Sequence, residues 1–309
     1  MCIRDRASAV GLLLAWMAYR DELPWMYAGA IPSFALAVIL GFQFVNVGWV
    51  VPEDTNASQW LGQQITSAPS GGALAGFAIL LLAGSELFVR RGRLLDARSL
   101  AIGSAGVALV GLLLVTVHGI EEPALAAIVH FACAIGFILA SFRWVFRVVA
   151  HFGVWLLLLA TMWSLWAIVP DERGTWGLVV SAEALILSTA ALGLNRFSLV
   201  RHACRDVAAT AGILALALLF SGSLRDATLS GTLFLLASTG FLLAGLYRLR
   251  ELTWAGSLLG LVAFAHVLNF PLEIESWRVS LSLALLIHAT LALVGALLLR
   301  RAVHRKVPD

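Results

Sequence analysis

Three cysteines, eight prolines, three tyrosines and a single lysine are thinly spread through 309 residues, of which only 13% are charged. Each scarcity excludes something. Cys2, Cys133 and Cys204 share no pairing or ligand spacing, so neither a disulfide framework nor a zinc motif is expected. HExxH is absent, and the glycine-rich run Gly103-Ser104-Ala105-Gly106 lacks the lysine of a phosphate-binding loop. No basic patch with interleaved aromatics stands outside the loops, so nucleic acid is not an expected partner. What dominates instead is apolar: 61% of residues are hydrophobic and the mean hydropathy is +0.92. A water-soluble fold of this length cannot bury that much apolar surface, so the chain reads as an integral membrane protein.

Stretches long enough to cross a bilayer, about 20 helical residues, run from Trp25 to Val45, Gly71 to Val89, Ser99 to Val117, Pro123 to Ser141 and His151 to Val169. Further ones run from Thr175 to Leu194, Asp206 to Ser221, Leu229 to Tyr247, Leu252 to Phe270 and Val279 to Leu299. These runs are continuously apolar, whereas barrel strands would alternate, so the spans are helical. The expected fold is an all-α, polytopic transmembrane bundle of ten full spans, with the shorter segment Ala7 to Tyr19 as one truncated span. Residues 1–6, MCIRDR, can be encoded by a sequence that resembles a transposon end used in preparing sequencing libraries, and are read as a scar. On that reading 7–309 is one transmembrane domain whose natural chain continues upstream.

Arginine falls on every second connection. Arg20, the group Arg90 to Arg98, Arg143 with Arg147, the group Arg196 to Arg205, Arg248 with Arg250, and the tail from Arg300 to Lys306 alternate with connections rich in acid and proline. Only Arg173, Arg225 and Arg278 break the rhythm. The positive-inside rule makes the arginine set and the C-terminus cytoplasmic. Abundant Ala, Leu and Arg with one lysine suggests a GC-rich bacterial genome and hence the bacterial inner membrane. A net charge of +3 carried by these loops favours membrane lipids with anionic headgroups as partners. From Arg98, Arg147, Arg205 and Arg250 the chain crosses outward, turns at acid and returns in about fifty residues, the length of a two-helix unit, which suggests repeated hairpins. In this the chain loosely resembles large bacterial membrane proteins built of many repeated hairpins, with no motif specific enough to carry an activity across.

Ionisable side chains at membrane depth cost roughly 2.5 to 3.5 kcal/mol on insertion scales and call for a functional hypothesis. Glu183, His130 and His288 lie at similar distances from their arginine ends, with His266 nearer the surface. Two imidazoles and a carboxylate at one depth suit a proton or ligand path, and equally suit a metal site. No spacing motif supports a metal or a haem, so no cofactor is expected. The alternative is that each of these groups hydrogen-bonds singly to a neighbouring helix. Glu86, four residues before Arg90, reads as an anchor for that arginine. Gly72 with Gly76, and Gly256 with Gly260, form GxxxG steps that suit helix packing and leave room for helix-mediated self-association.

The longest acidic-side connection, from Asn46 to Ser70, carries Glu53, Asp54, Trp60, Gln63 and Gln64, and Asn56-Ala57-Ser58 matches a glycosylation sequon. Membrane glycosyltransferases that use lipid-linked sugars place a catalytic acid in such a loop, so Glu53 and Asp54 are candidates. Three classes of function therefore stand: a transporter or permease, an enzyme acting on a lipid-linked substrate, and a membrane anchor or assembly partner for an upstream domain.

Overall fold

The computed structural model describes residues 3–46, 56–194, 196–220, 227–272, 274 and 276–304, apart from the side chains of 57, 227 and 296–304. Among the described residues there are twelve α-helices and no strand. They are α1 (Ile3–Arg20), α2 (Tyr27–Asn46, entered through a 3-10 turn at Pro24–Met26), α3 (Ala57–Ile65), α4 (Ala68–Arg90), α5 (Leu94–Val117) and α6 (Pro123–Trp144). There follow α7 (Arg147–Ile168), α8 (Arg173–Gly193), α9 (Ser198–Leu219), α10 (Ala227–Tyr247), α11 (Arg250–Asn269) and α12 (Trp277–His304). Ten of these, all but α1 and α3, are long and apolar enough to cross a membrane. The chain is an all-α, multi-pass helical bundle.

Hydropathy located the spans but not the helix ends. The span expected from Asp206 begins at Ser198, and the one expected from Ser99 begins at Leu94. Apolarity marks only the stretch at bilayer depth; a helix continues past the interface wherever one face stays packed. In the first turns of α9, Val200, Ala203 and Cys204 are buried while Arg201 and Arg205 keep partial access to solvent.

Two compact units divide the chain, Met1–Ile168 and Val169–Asp309. In the first, α1 packs on α2, α4 on α5 and α6 on α7, with α4 also meeting α2 and α6. In the second, α8 packs on α9 and α10, α10 on α11, and α11 on α12. Repeated hairpins are therefore present, but the intimate partners are joined through arginine-bearing connections. The acidic turn between α5 and α6 links a much looser pair. The reason is the turn. Short connections at the arginine end hold one residue in the left-handed region: Glu22 (φ 54°), Gly92 (φ 77°), Val145 (φ 55°) and Arg248 (φ 59°). A single left-handed residue after a helix reverses the chain at once and lays the next helix antiparallel against it.

Two of these hairpins match in detail. Ala134 and Gly153 stand in the same places relative to Val145 as Ala237 and Gly256 do relative to Arg248. In both, a Cβ added to the glycine would run into the alanine's carbonyl oxygen, 3.2 Å away for Gly153 and 2.9 Å for Gly256. Such contacts let α-helix backbones approach where lipid offers no hydrophobic contrast. In α4 the close approach falls at Gly71, not at the expected Gly72 and Gly76: a Cβ on Gly71 would lie 2.7 Å from Gly111 O, while Gly76 meets nothing within 4 Å.

Within the longest acidic-side connection, α3 was not foreseen. Its N-cap is Asn56, whose Oδ1 accepts from the Ser58 amide at 3.1 Å and its hydroxyl at 3.0 Å, so the sequon residues serve here as a helix cap. Gln43 at the end of α2, 6% exposed, donates its amide to Gln64 O (3.0 Å), Ser67 Oγ (3.1 Å) and Ser70 Oγ (2.8 Å). That buried knot ties α2 to the turn between α3 and α4.

Candidate functional site

Each of the three intramembrane histidines is bonded to a hydroxyl on the adjacent helix. His130 on α6 is 2% exposed, with Nδ1 2.7 Å from Ala126 O and Nε2 3.2 Å from Thr116 Oγ1 on α5. A carbonyl only accepts, so Nδ1 carries the proton and, in a neutral ring, Nε2 accepts from Thr116. The Thr116 hydroxyl also donates to Leu112 O at 2.7 Å, so its single proton is shared between two acceptors. Trp163 of α7 lies beside the imidazole, ring centroids 6.4 Å apart.

In the second unit the same device occurs twice on one helix. His266 of α11, 8% exposed, has Nδ1 2.7 Å from Ser230 Oγ on α10, with the Phe270 ring 4.7 Å away. Ser257, also on α11, has Oγ 2.7 Å from Nε2 of His288 on α12. Thus α11 carries a histidine–serine bond on each flank. The two lie about 13 Å apart along its axis, at 1.5 Å of rise per residue. The Ser257–His288 pair opens on a cavity of about 440 Å³ between α10, α11 and α12, lined also by Ser238 and Gly260 among apolar walls. A Cβ on Gly260 would stand 4.0 Å from His288 Nδ1, in ordinary contact with the ring.

Glu183 is half-buried on α8, with Oε2 shut off from solvent. His288 bonds a serine of α11, while α8 packs chiefly on α9 and α10. His130 belongs to the first unit, whereas Glu183, His266 and His288 belong to the second. Glu53 and Asp54 lie outside the described residues. Among the described residues no group of three or more His, Cys, Asp or Glu is placed to hold a metal ion.

Two polar clusters at the arginine end went unread in the sequence. Arg93 pairs with Asp96, donates Nη2 to Tyr19 O at 2.9 Å and stacks on the Tyr19 ring at 4.3 Å. In the second unit Arg205 donates to Asp206 Oδ1 at 2.8 Å and stacks on Tyr247 at 4.1 Å, while the Tyr247 hydroxyl donates to that same oxygen at 2.6 Å. Both clusters neutralise a carboxylate at the membrane edge and fasten neighbouring helices. The scarcity of tyrosine was the available signal, since Tyr19, Tyr27 and Tyr247 all fall at arginine-bearing helix ends. Glu86 does anchor Arg90, at 3.3 Å, and reaches Arg143 of α6 at 3.7 Å as well.

A bundle of ten apolar helices, with polar side chains inside it paired between neighbours, defines the class: a multi-pass α-helical membrane protein. No family model, curated protein or solved structure matches the chain.

Proposed function

We propose that the chain is a permease-like protein of the bacterial cytoplasmic membrane, its arginine-bearing end and C-terminus on the cytoplasmic side, and that α10, α11 and α12 carry a proton or small polar solute past α11. The supporting observation is the pair of histidine–serine bonds flanking that helix at two depths, Ser230 with His266 and Ser257 with His288, the second opening on a cavity. Imidazole and hydroxyl both donate and accept, so such groups pass a proton by exchanging roles without moving the backbone. Glu183 on the neighbouring α8 is the acidic candidate for the same path.

The test is proton flux into liposomes containing the purified protein and a trapped pH dye, driven by a potassium diffusion potential. Flux above that of protein-free liposomes is expected, with loss of the excess in His266→Leu and His288→Leu. Flux equal to that of empty liposomes would sink the proton path. Undiminished flux in Glu183→Gln would remove Glu183 from it while leaving the histidines in place.

A further inference from the structure

At the arginine end of the first unit, a slot opens sideways between α4, α5, α6 and the start of α7. Its volume is about 200 Å³, and a wider groove of about 490 Å³ between α4 and α6 adjoins it, the two sharing Ile79, Leu82, Gly136, Ala140 and Trp144 as walls. The floor is narrow because α5 and α6 present Ala101, Ala105, Ala108, Gly136 and Ala140 to it. Nothing polar needs satisfying along that floor: the Ser104 hydroxyl already donates to Ala78 O at 2.7 Å.

Length and charge identify an occupant. The slot follows α5 from Arg98 to Ala108 and α6 from Trp144 back to Cys133. At 1.5 Å of rise per residue each wall is about 15 Å long, half of a hydrocarbon core about 30 Å thick. It therefore runs from headgroup level to the bilayer midplane, the reach of one acyl chain of one leaflet. At its mouth Arg98 is exposed and has no acidic partner among the described residues. In the adjoining groove, next to Trp144 in the chain, Arg143 is 51% exposed and 3.7 Å from Glu86, which also serves Arg90 at 3.3 Å. Arg90 and Arg143 share one carboxylate and Arg98 has none, so this end keeps positive charge, and Trp144 stands there as an interfacial aromatic would.

We infer that this slot between α4, α5 and α6 binds one acyl chain of an anionic phospholipid, whose phosphate pairs with Arg98 and Arg143. Basic pockets between transmembrane helices hold acidic lipid headgroups by charge-assisted hydrogen bonds, and the apolar track selects a ligand with a tail. A free phosphate would satisfy the mouth and leave the slot empty.

The test uses the full chain, purified in detergent and stripped of lipid. Dioleoyl phosphatidylglycerol, dioleoyl phosphatidylcholine and inorganic phosphate are added separately while thermal unfolding and native mass spectra are followed. Phosphatidylglycerol alone should raise the melting midpoint and give a one-lipid adduct. The double variant Arg98→Gln/Arg143→Gln should weaken its binding about tenfold or more, whereas Arg20→Gln, an exposed arginine elsewhere at the same end, should not. Filling the floor with Ala105→Phe should remove the adduct; if that variant misfolds, the arginine variants, which alter only exposed groups, still decide. Equal shifts from the two lipids, a shift from inorganic phosphate alone, retention in the double variant, or equal loss in Arg20→Gln would each overturn the assignment. So would a protein dimer appearing in place of the lipid adduct.

Discussion

Ser257 and His288 are joined across α11 and α12 by a 2.7 Å bond, and Ser230 and His266 across α10 and α11 by another of the same length. Their surroundings differ. His266 and Ser230 are both buried, at 8% and 6% exposure, whereas His288 faces a cavity. Interhelical hydrogen bonds within membranes average about 0.6 kcal/mol. Ser257→Ala should therefore change unfolding in a mixed-detergent titration by under ~1 kcal/mol, because space beside His288 can admit a replacement partner. Ser230→Ala should cost more, about 1–2 kcal/mol, since the hydrogen bond it removes lies between two buried groups. Equal costs would show that the cavity does not relieve His288.

Gly71 and Gly76 offer a second contrast on one helix. A Cβ on Gly71 would lie 2.6 Å from Val115 Cγ2 and 2.7 Å from Gly111 O, and the latter, being backbone, cannot turn aside. Overpacking of this kind costs typically 1–3 kcal/mol. Gly71→Ala should lower the stability of the α4–α5 hairpin by that much, while Gly76→Ala, with nothing within 4 Å, should be neutral or slightly stabilising. Chemical denaturation of both variants checks the difference.

That contrast also shows where the sequence was legible. Alternating arginine and acid gave the order of spans, because charge is costly at bilayer depth and every connection had to declare itself. Which glycine makes the close approach was not legible: Gly71, Gly72 and Gly76 all sit in one small-residue stretch, and helix rotation decides among them. The pairing of hairpins was also hidden. It depends on left-handed residues at Val145 and Arg248, types that rarely adopt that conformation and so carry no turn signal. Depth singled out His130, His266, Glu183 and His288, yet depth says nothing of partners, and Thr116, Ser230 and Ser257 are residue types too common in membrane helices to stand out.

Tyr247 and Asp206 should act as a stabilising pair. The phenol donates to Oδ1 at 2.6 Å, and Arg205 shares that oxygen while stacking on the ring. Hydrogen bonds to charged groups contribute about 1.5–3 kcal/mol when shielded, less here because the Asp206 side chain is 31% exposed. Tyr247→Phe, which keeps the ring under Arg205, is expected to cost about 1 kcal/mol. Tyr247→Leu should cost more, since it removes the stacking too. If Phe and Leu behave alike in the unfolding titration, the stacking contributes nothing.

His130 is buried while Thr116 is exposed, and their hydrogen-bond geometry makes an asymmetric prediction. Thr116→Val removes the hydroxyl that bonds Nε2 while leaving the ring 2% exposed, so a polar nitrogen stays buried without that donor. Such orphaning costs about 1–3 kcal/mol. Replacing both partners, as Thr116→Val/His130→Phe, leaves no polar atom to satisfy, because Ala126 O is also the acceptor of the helical bond at its own turn. The double variant should therefore be more stable than Thr116→Val alone. A double-mutant cycle on the unfolding free energies measures the coupling, and ring ¹⁵N shifts should show the Nδ1-protonated tautomer in the wild type. Additive costs would mean that Thr116 does not hold this histidine, and an Nε2-protonated ring would mean that Nδ1 does not donate to Ala126 O.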